Sequence, residues 1–68
     1  MADNGYIQFT DTDSGDEAVA IVRAVDGSIA LCLSLERGGD IEVVMNPRDG
    51  ERLLLALREA LAVATVPR

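Results

Sequence analysis

The sequence predicts an α+β domain: an antiparallel β-meander of three to four strands, followed by one C-terminal helix packed on one face. Two observations carry this prediction. Residues 28–35 alternate large aliphatic and small side chains with the period of a strand. Residues 47–64 instead place leucines and alanines at the spacing of an amphipathic helix. Strands that precede a single helix in this way are typical of the α+β class.

The central hairpin has the most specific local signal. Asp26-Gly27 separates the alternating run from an earlier β-branched run, and this dipeptide favours a type I′ turn because both of its residues accept positive φ. A two-residue turn fixes the strand register and pairs Ala24 with Ile29. The large aliphatic residues of the second strand then share one face with small alanines of the first, which leaves room for a helix.

A glycine pair, Gly38-Gly39, marks the turn into the last strand. A two-residue loop there would turn Glu42 toward the core. We therefore predict a three-residue loop over 37–39, with a glycine in the left-handed conformation. This register pairs Leu35 with Ile41 and places Val44 beside Cys32.

The last strand leads directly into the helix. Asn46 can cap the first free amides, Pro47 suits the first helical position, and Asp49 lies at the positive end of the helix dipole. The predicted domain spans residues 17–64 and is followed by a tail over 65–68.

Residues 1–16 are predicted to form an acidic N-terminal arm with a possible short edge strand over 6–10. Asp11, Asp13 and Asp16 follow this strand and suggest a calcium loop, but Asp16 stands where that template needs glycine. Its twelfth position is Val22 instead of glutamate. We therefore expect a solvated turn and no metal site.

Composition excludes many enzyme classes. The 68 residues carry a net charge of −6 and include one cysteine, no histidine and no lysine. A disulfide framework, a zinc site, histidine-based catalysis and Schiff-base chemistry each lack a required residue. We expect a protein that is not an enzyme and that uses no cofactor.

The N-terminal region has no basic residue among its first 17, and the longest apolar runs are five residues. A secretory signal needs a basic start, and a membrane-spanning helix needs about 20 apolar residues. We therefore expect a cytoplasmic protein that does not enter membranes.

The small size of the chain predicts self-association. Burial of apolar surface would contribute about 95 kcal/mol, against about 100 kcal/mol of conformational entropy, so the balance is near zero without further support. Oligomerisation is a usual source of that support. We predict a homodimeric protein-interaction or regulatory module that also binds another protein.

The predicted dimer interface lies on the sheet face opposite the helix. With the registers above, apolar side chains form a row there with a polar rim, unless residues 6–9 fold over it. Leu55, which points away from the main apolar face of the helix, could add a second contact. The predicted interface residues are Val19, Ile21, Cys32, Val44 and Leu55.

Short fragments of residues 17–63 resemble the single-stranded-DNA-binding domain of the positive transcriptional coactivator and whirly-like family. The order of elements is similar, and the matching fragments are Val22-Arg23, Gly27, Leu33, Glu36 and Asn46-Pro47. The resemblance implies a dimer whose curved sheet binds single-stranded nucleic acid.

On that alternative, Arg23, Arg37 and Arg48 would contact phosphates. Binding sites for single strands also use aromatic stacking surfaces, and the three main predicted strands contain no aromatic residue. Nucleic-acid binding therefore remains the second functional hypothesis.

Overall fold

A computed structural model describes residues 4–66. It contains one sheet with the strand order β1-β2-β3-β4 and one helix that follows it, which confirms the predicted α+β meander. The elements are β1 (Asn4–Thr10), β2 (Glu17–Val25), β3 (Ser28–Leu35), β4 (Gly39–Met45) and α1 (Pro47–Ala64). Residues 1–3 of the predicted arm and 67–68 of the predicted tail lie outside the described residues.

The β2–β3 hairpin has the predicted register. Ala24 pairs with Ile29, and the turn residues Asp26 and Gly27 have φ values of 50° and 77°, as a type I′ turn requires. β1 lies at the edge of the sheet and pairs along its whole length with β2 of the same chain. The predicted edge strand over 6–10 therefore pairs within its own chain.

The predicted register between β3 and β4 is wrong by two residues. The loop covers residues 36–38, so Leu33 instead of Leu35 pairs with Ile41. Gly39 has a φ of 92° and forms the first residue of β4, where a side chain would disfavour this conformation. A shift of two residues keeps each side chain on its predicted face but changes its cross-strand neighbours.

The helix begins as predicted and makes a close approach to the sheet in its first turn. The Asn46 Oδ1 atom accepts a hydrogen bond from the Asp49 backbone amide at 2.8 Å, and Pro47 is the first helical residue. A Cβ atom on Gly50 would lie 2.5 Å from the Ile29 Cδ1 atom. The absence of a side chain at position 50 therefore lets the helix backbone rest on β3.

Beyond this contact the helix leaves its side of the sheet open. Gly50 is the one residue of α1 that is not exposed, and the helix leucines are between 37% and 62% exposed. No large side chain within residues 4–66 is fully buried. The Cα radius of gyration is 13.6 Å, against about 11 Å for a compact chain of this length. The core that the sequence predicts between helix and sheet is not closed within one chain.

Candidate interaction surfaces

The sheet face on the side of α1 is a continuous apolar surface. It is formed by every second residue of 5–9, 18–24, 29–35 and 39–45, and we call it the helix-side face. These positions hold only aliphatic residues, Phe9, Met45 and glycines, so the described part of this face carries no charged side chain. It contains the transverse row Ile7, Ala20, Leu33 and Ile41.

This surface is exposed where the helix does not reach it. Within residues 4–66, α1 lies near β3 and β4 but not near β1 or β2. Ile7 and Phe9 on β1 are therefore exposed. Leu33 on β3 and Ile41 on β4 lie beyond the helix contact and are exposed as well. Clusters of this kind on soluble proteins mark interaction sites.

An open depression lies at the end of the helix-side face that is farther from Gly50. Its volume is about 420 Å³, and its apolar lining includes Phe9, Ala18, Leu33, Leu35 and Ile41. The strand register places these residues at the opposite end of β3 from Ile29, which contacts the helix. The depression is therefore a mainly apolar recess, with Asp11 and Asp40 also in its lining, that the helix of the same chain leaves empty.

The helix carries a second apolar surface. Leu53, Leu54, Leu57 and Leu61 lie within about 60° of the direction of Gly50 on the helical wheel, and all four are exposed. We call these four leucines the helix stripe. Two apolar surfaces of similar character, the helix stripe and the helix-side face, are thus both uncovered in one chain.

The opposite side of the sheet, here called the reverse face, consists of every second residue of 6–10, 17–25, 28–34 and 40–44. Charged side chains cross it. The Arg23 Nη2 atom lies 2.9 Å from the Glu42 Oε2 atom, so this ion pair joins β2 to β4 across β3. Ala30, which faces Arg23 in the register, is 3% exposed.

The predicted apolar row on this face is not formed as expected. The shifted register places Glu42, not Val44, opposite Cys32. Val19, Ile21 and Cys32 are half-buried, whereas Val44 is exposed opposite Ala30. The prediction of this row was wrong because alternation in the sequence does not distinguish two strand registers that differ by two residues.

The predicted helix contact Leu55 is exposed, and it lies away from the helix stripe. The assignment of Leu55 and of the reverse face to a dimer interface stays a prediction.

The three arginines of the nucleic-acid hypothesis do not form one basic surface. Arg23 pairs with Glu42 near the hairpin end of the sheet, and Arg37 pairs with Asp16 at the other end, with an Nε–Oδ1 distance of 3.4 Å. Arg48 lies in the first turn of α1. Two of the three positive charges are thus already opposed by carboxylates.

The acidic loop between β1 and β2 is anchored by a buried carboxylate, which corrects the expectation that this whole turn is solvated. Asp16 is 6% exposed, and its Oδ2 atom accepts a hydrogen bond from the Arg37 backbone amide at 2.8 Å. Its Oδ1 atom accepts from the Glu17 backbone amide at 3.1 Å. Asp16 therefore ties the β1–β2 loop to the β3–β4 loop.

The rest of this loop is held by Asp11. Its Oδ2 atom accepts a hydrogen bond from the Ser14 hydroxyl at 2.7 Å, and its Oδ1 atom accepts one from the Asp13 backbone amide at 3.2 Å. These bonds, the Ser14 bond first, lower the pKa of Asp11 below its ordinary value. The small stabilisation that results is present at neutral pH and is lost as the pH falls through the lowered pKa.

We expect Asp16→Ala to destabilise the protein by about 2 kcal/mol, because two backbone amides lose a charged acceptor that is itself buried. Asp13→Ala in the same loop removes an exposed carboxylate and should change stability by less than about 0.5 kcal/mol. Urea unfolding of both variants at one chain concentration measures the difference. Equal stability of the two variants would show that Asp16 anchors nothing.

The sequence identified the residues of the helix-side face but assigned them to a closed core. The available signal was the small apolar area that a chain of this length can bury. It predicted that apolar burial alone does not outweigh the conformational entropy lost on folding. That signal does not indicate which surface remains uncovered.

No family model, curated protein or solved structure matches this chain. The resemblance to the coactivator and whirly-like family therefore stays a prediction. In the part of the chain that the structure describes, no helix is both long and apolar enough to cross a membrane. Nor do residues 4–66 bring three histidine, cysteine or carboxylate side chains together as a metal site would.

Proposed function

We propose that this chain is a homodimeric protein-interaction module without catalytic activity. The observation that carries the proposal is the uncovered helix-side face, a charge-free apolar surface next to an equally uncovered helix stripe. A chain that exposed both surfaces to water would lose the main driving force for folding. A second copy supplies the missing cover and makes folding and assembly one event.

The accessible surface of the chain gives the size of the missing contact. It is 5734 Å², against roughly 4,100 Å² for a compact monomer of 7.2 kDa. The excess is roughly 1,600 Å² per chain, so a dimer that removed it would bury roughly 3,200 Å² in total. Obligate homodimers bury about 2,000–5,000 Å².

A further protein partner would meet the reverse face. Exposed Tyr6 and Val44 lie there among the charged residues Arg23 and Glu42. Aromatic and aliphatic side chains beside ionic groups are typical of interfaces that form and dissociate. The reverse face is therefore the surface that we assign to binding of another protein.

Nucleic-acid binding has less support, because single-strand binding requires a basic groove with stacking platforms. Two of its three arginines are ion-paired, and the aromatics Tyr6 and Phe9 lie on opposite faces of β1.

Light scattering and thermal unfolding over a range of chain concentrations test the proposal. We expect a mass of twice 7.2 kDa, and an unfolding free energy that rises by about 1.4 kcal/mol for each tenfold increase in concentration. A folded monomer at micromolar concentration, with cooperative unfolding that does not depend on concentration, would overturn it.

A further inference from the structure

We infer that the dimer forms by reciprocal helix exchange, in which α1 of each chain lies across the helix-side face of the other and completes its core. This inference rests on the proposed function and specifies the occupant of the open face. It assigns the interface to the helix-side face instead of the reverse face.

The first argument is reach within one chain. The helix is fixed to β3 by the contact of Gly50 with Ile29, and it does not approach β1 or β2. Ile7 and Phe9 on β1 therefore cannot be covered by their own helix in this arrangement. No other segment of residues 4–66 covers them, so we assign their cover to a second chain.

The second argument is the match in dimensions. From Gly50 to Ala64 the helix extends about 21 Å at 1.5 Å per residue. The four strands of the sheet span about 14 Å between the axes of β1 and β4. One helix is thus long enough to cross the whole open face of a partner sheet. Side chains of the helix stripe can then reach the recess on that face.

The third argument is the match in chemistry. The helix stripe and the described part of the helix-side face carry no charged side chain, so two chains that each carry a net charge of −6 can join there with carboxylates only at the recess, whose lining includes Asp11 and Asp40. The reverse face offers no such match, because the ion pair of Arg23 and Glu42 crosses it. The described reverse face carries Glu17, Asp40 and Glu42 against Arg23, so two copies docked on that side would bring an excess of carboxylates into contact.

The fourth argument is symmetry. The contact of one helix with the partner sheet is made a second time by the other helix, so the interface is isologous and closes as a dimer. Each chain contributes both a helix stripe and a sheet face. Both surfaces are covered at once, which a contact through the reverse face would not achieve.

Cross-linking between two distinguishable chains tests this arrangement. One chain carries Cys32→Ser and Ile7→Cys; the other, isotope-labelled, carries Cys32→Ser and Leu57→Cys. After unfolding, mixing and refolding, a short bismaleimide should join them between chains, because interface contact gives the thiols millimolar effective concentrations. The control pair uses Ile21→Cys and Val44→Cys, both on the reverse face, and should give about tenfold less product.

The outcomes separate this inference from the proposed function. A mixed product from positions 7 and 57 supports helix exchange. A dimeric mass without product from positions 7 and 57, whether or not positions 21 and 44 are joined, overturns helix exchange but leaves the homodimer. A monomeric mass with neither product overturns both, and refolding of each cysteine variant is checked first by circular dichroism.

Discussion

Ile41→Asp is expected to convert the dimer into single chains, whereas Val44→Asp should leave the mass at that of a dimer. Both residues lie on β4 and are exposed to the same extent in one chain, 60% and 62%, but they point to opposite faces of the sheet. The two variants therefore share the cost of an aspartate in an edge strand. They differ in which face receives the charge.

The expected size of the effect follows from burial. Covering an isoleucine side chain contributes about 1.5–3 kcal/mol, and the symmetric dimer contains the contact twice, so its loss weakens association by about 3–6 kcal/mol. This corresponds to a dissociation constant about 10²–10⁴ times larger, before the cost of an unpaired carboxylate in an apolar contact is added.

Sedimentation equilibrium of the two β4 variants measures the change. Dissociation by Val44→Asp alone would place the interface on the reverse face, as the sequence predicts, and would contradict helix exchange. Dissociation by neither variant would show that β4 lies outside the interface on both faces.

The elements that were predictable from sequence are those with local determinants. The register of β2 and β3 follows from the two-residue turn at Asp26-Gly27, since its length fixes every pair along the hairpin. The start of α1 follows from Asn46 and Pro47, whose capping and fixed φ act within one turn. In each case a few neighbouring residues determine the geometry.

The register of β3 and β4 could not be predicted because its signal is ambiguous. Both Gly38 and Gly39 accept a left-handed conformation, and loops at 36–38 and 37–39 put the same side chains on the same face. Alternation with a period of two is unchanged by a shift of two residues. Only cross-strand packing distinguishes the two registers. The cross-strand neighbour of Cys32 is Val44 in the predicted register and Glu42 in the observed one.

The residues of the helix-side face were predictable from the sequence, but whether its cover comes from the same chain was not. Apolar periodicity identifies which side of a strand or helix carries the apolar side chains, as it does for Leu33 in the helix-side face and Leu57 in the helix stripe. It does not specify whether the cover comes from the same chain or from another. A surface that closes between two chains has the same sequence signature as a core that closes within one chain.

Leu57→Asp is expected to abolish the dimer, with Leu55→Asp as the matched control. The two residues are two positions apart in α1 and are 60% and 52% exposed in one chain. On the helical wheel Leu57 lies about 20° from the direction of Gly50, and Leu55 about 140° from it. Helix exchange buries the first side chain and leaves the second in water.

Because a free helix could unfold when aspartate is introduced, the alanine variants of the same two positions complete the experiment. Alanine has the highest helix propensity, so Leu57→Ala and Leu55→Ala keep the helix and differ only in the contact removed. Loss of the buried leucine is expected to cost about 2–5 kcal/mol for each copy, and loss of the exposed one less than about 0.5 kcal/mol. Equal shifts at both positions would mean that the helix stripe contacts nothing, and helix exchange would fail even if the protein remained a dimer.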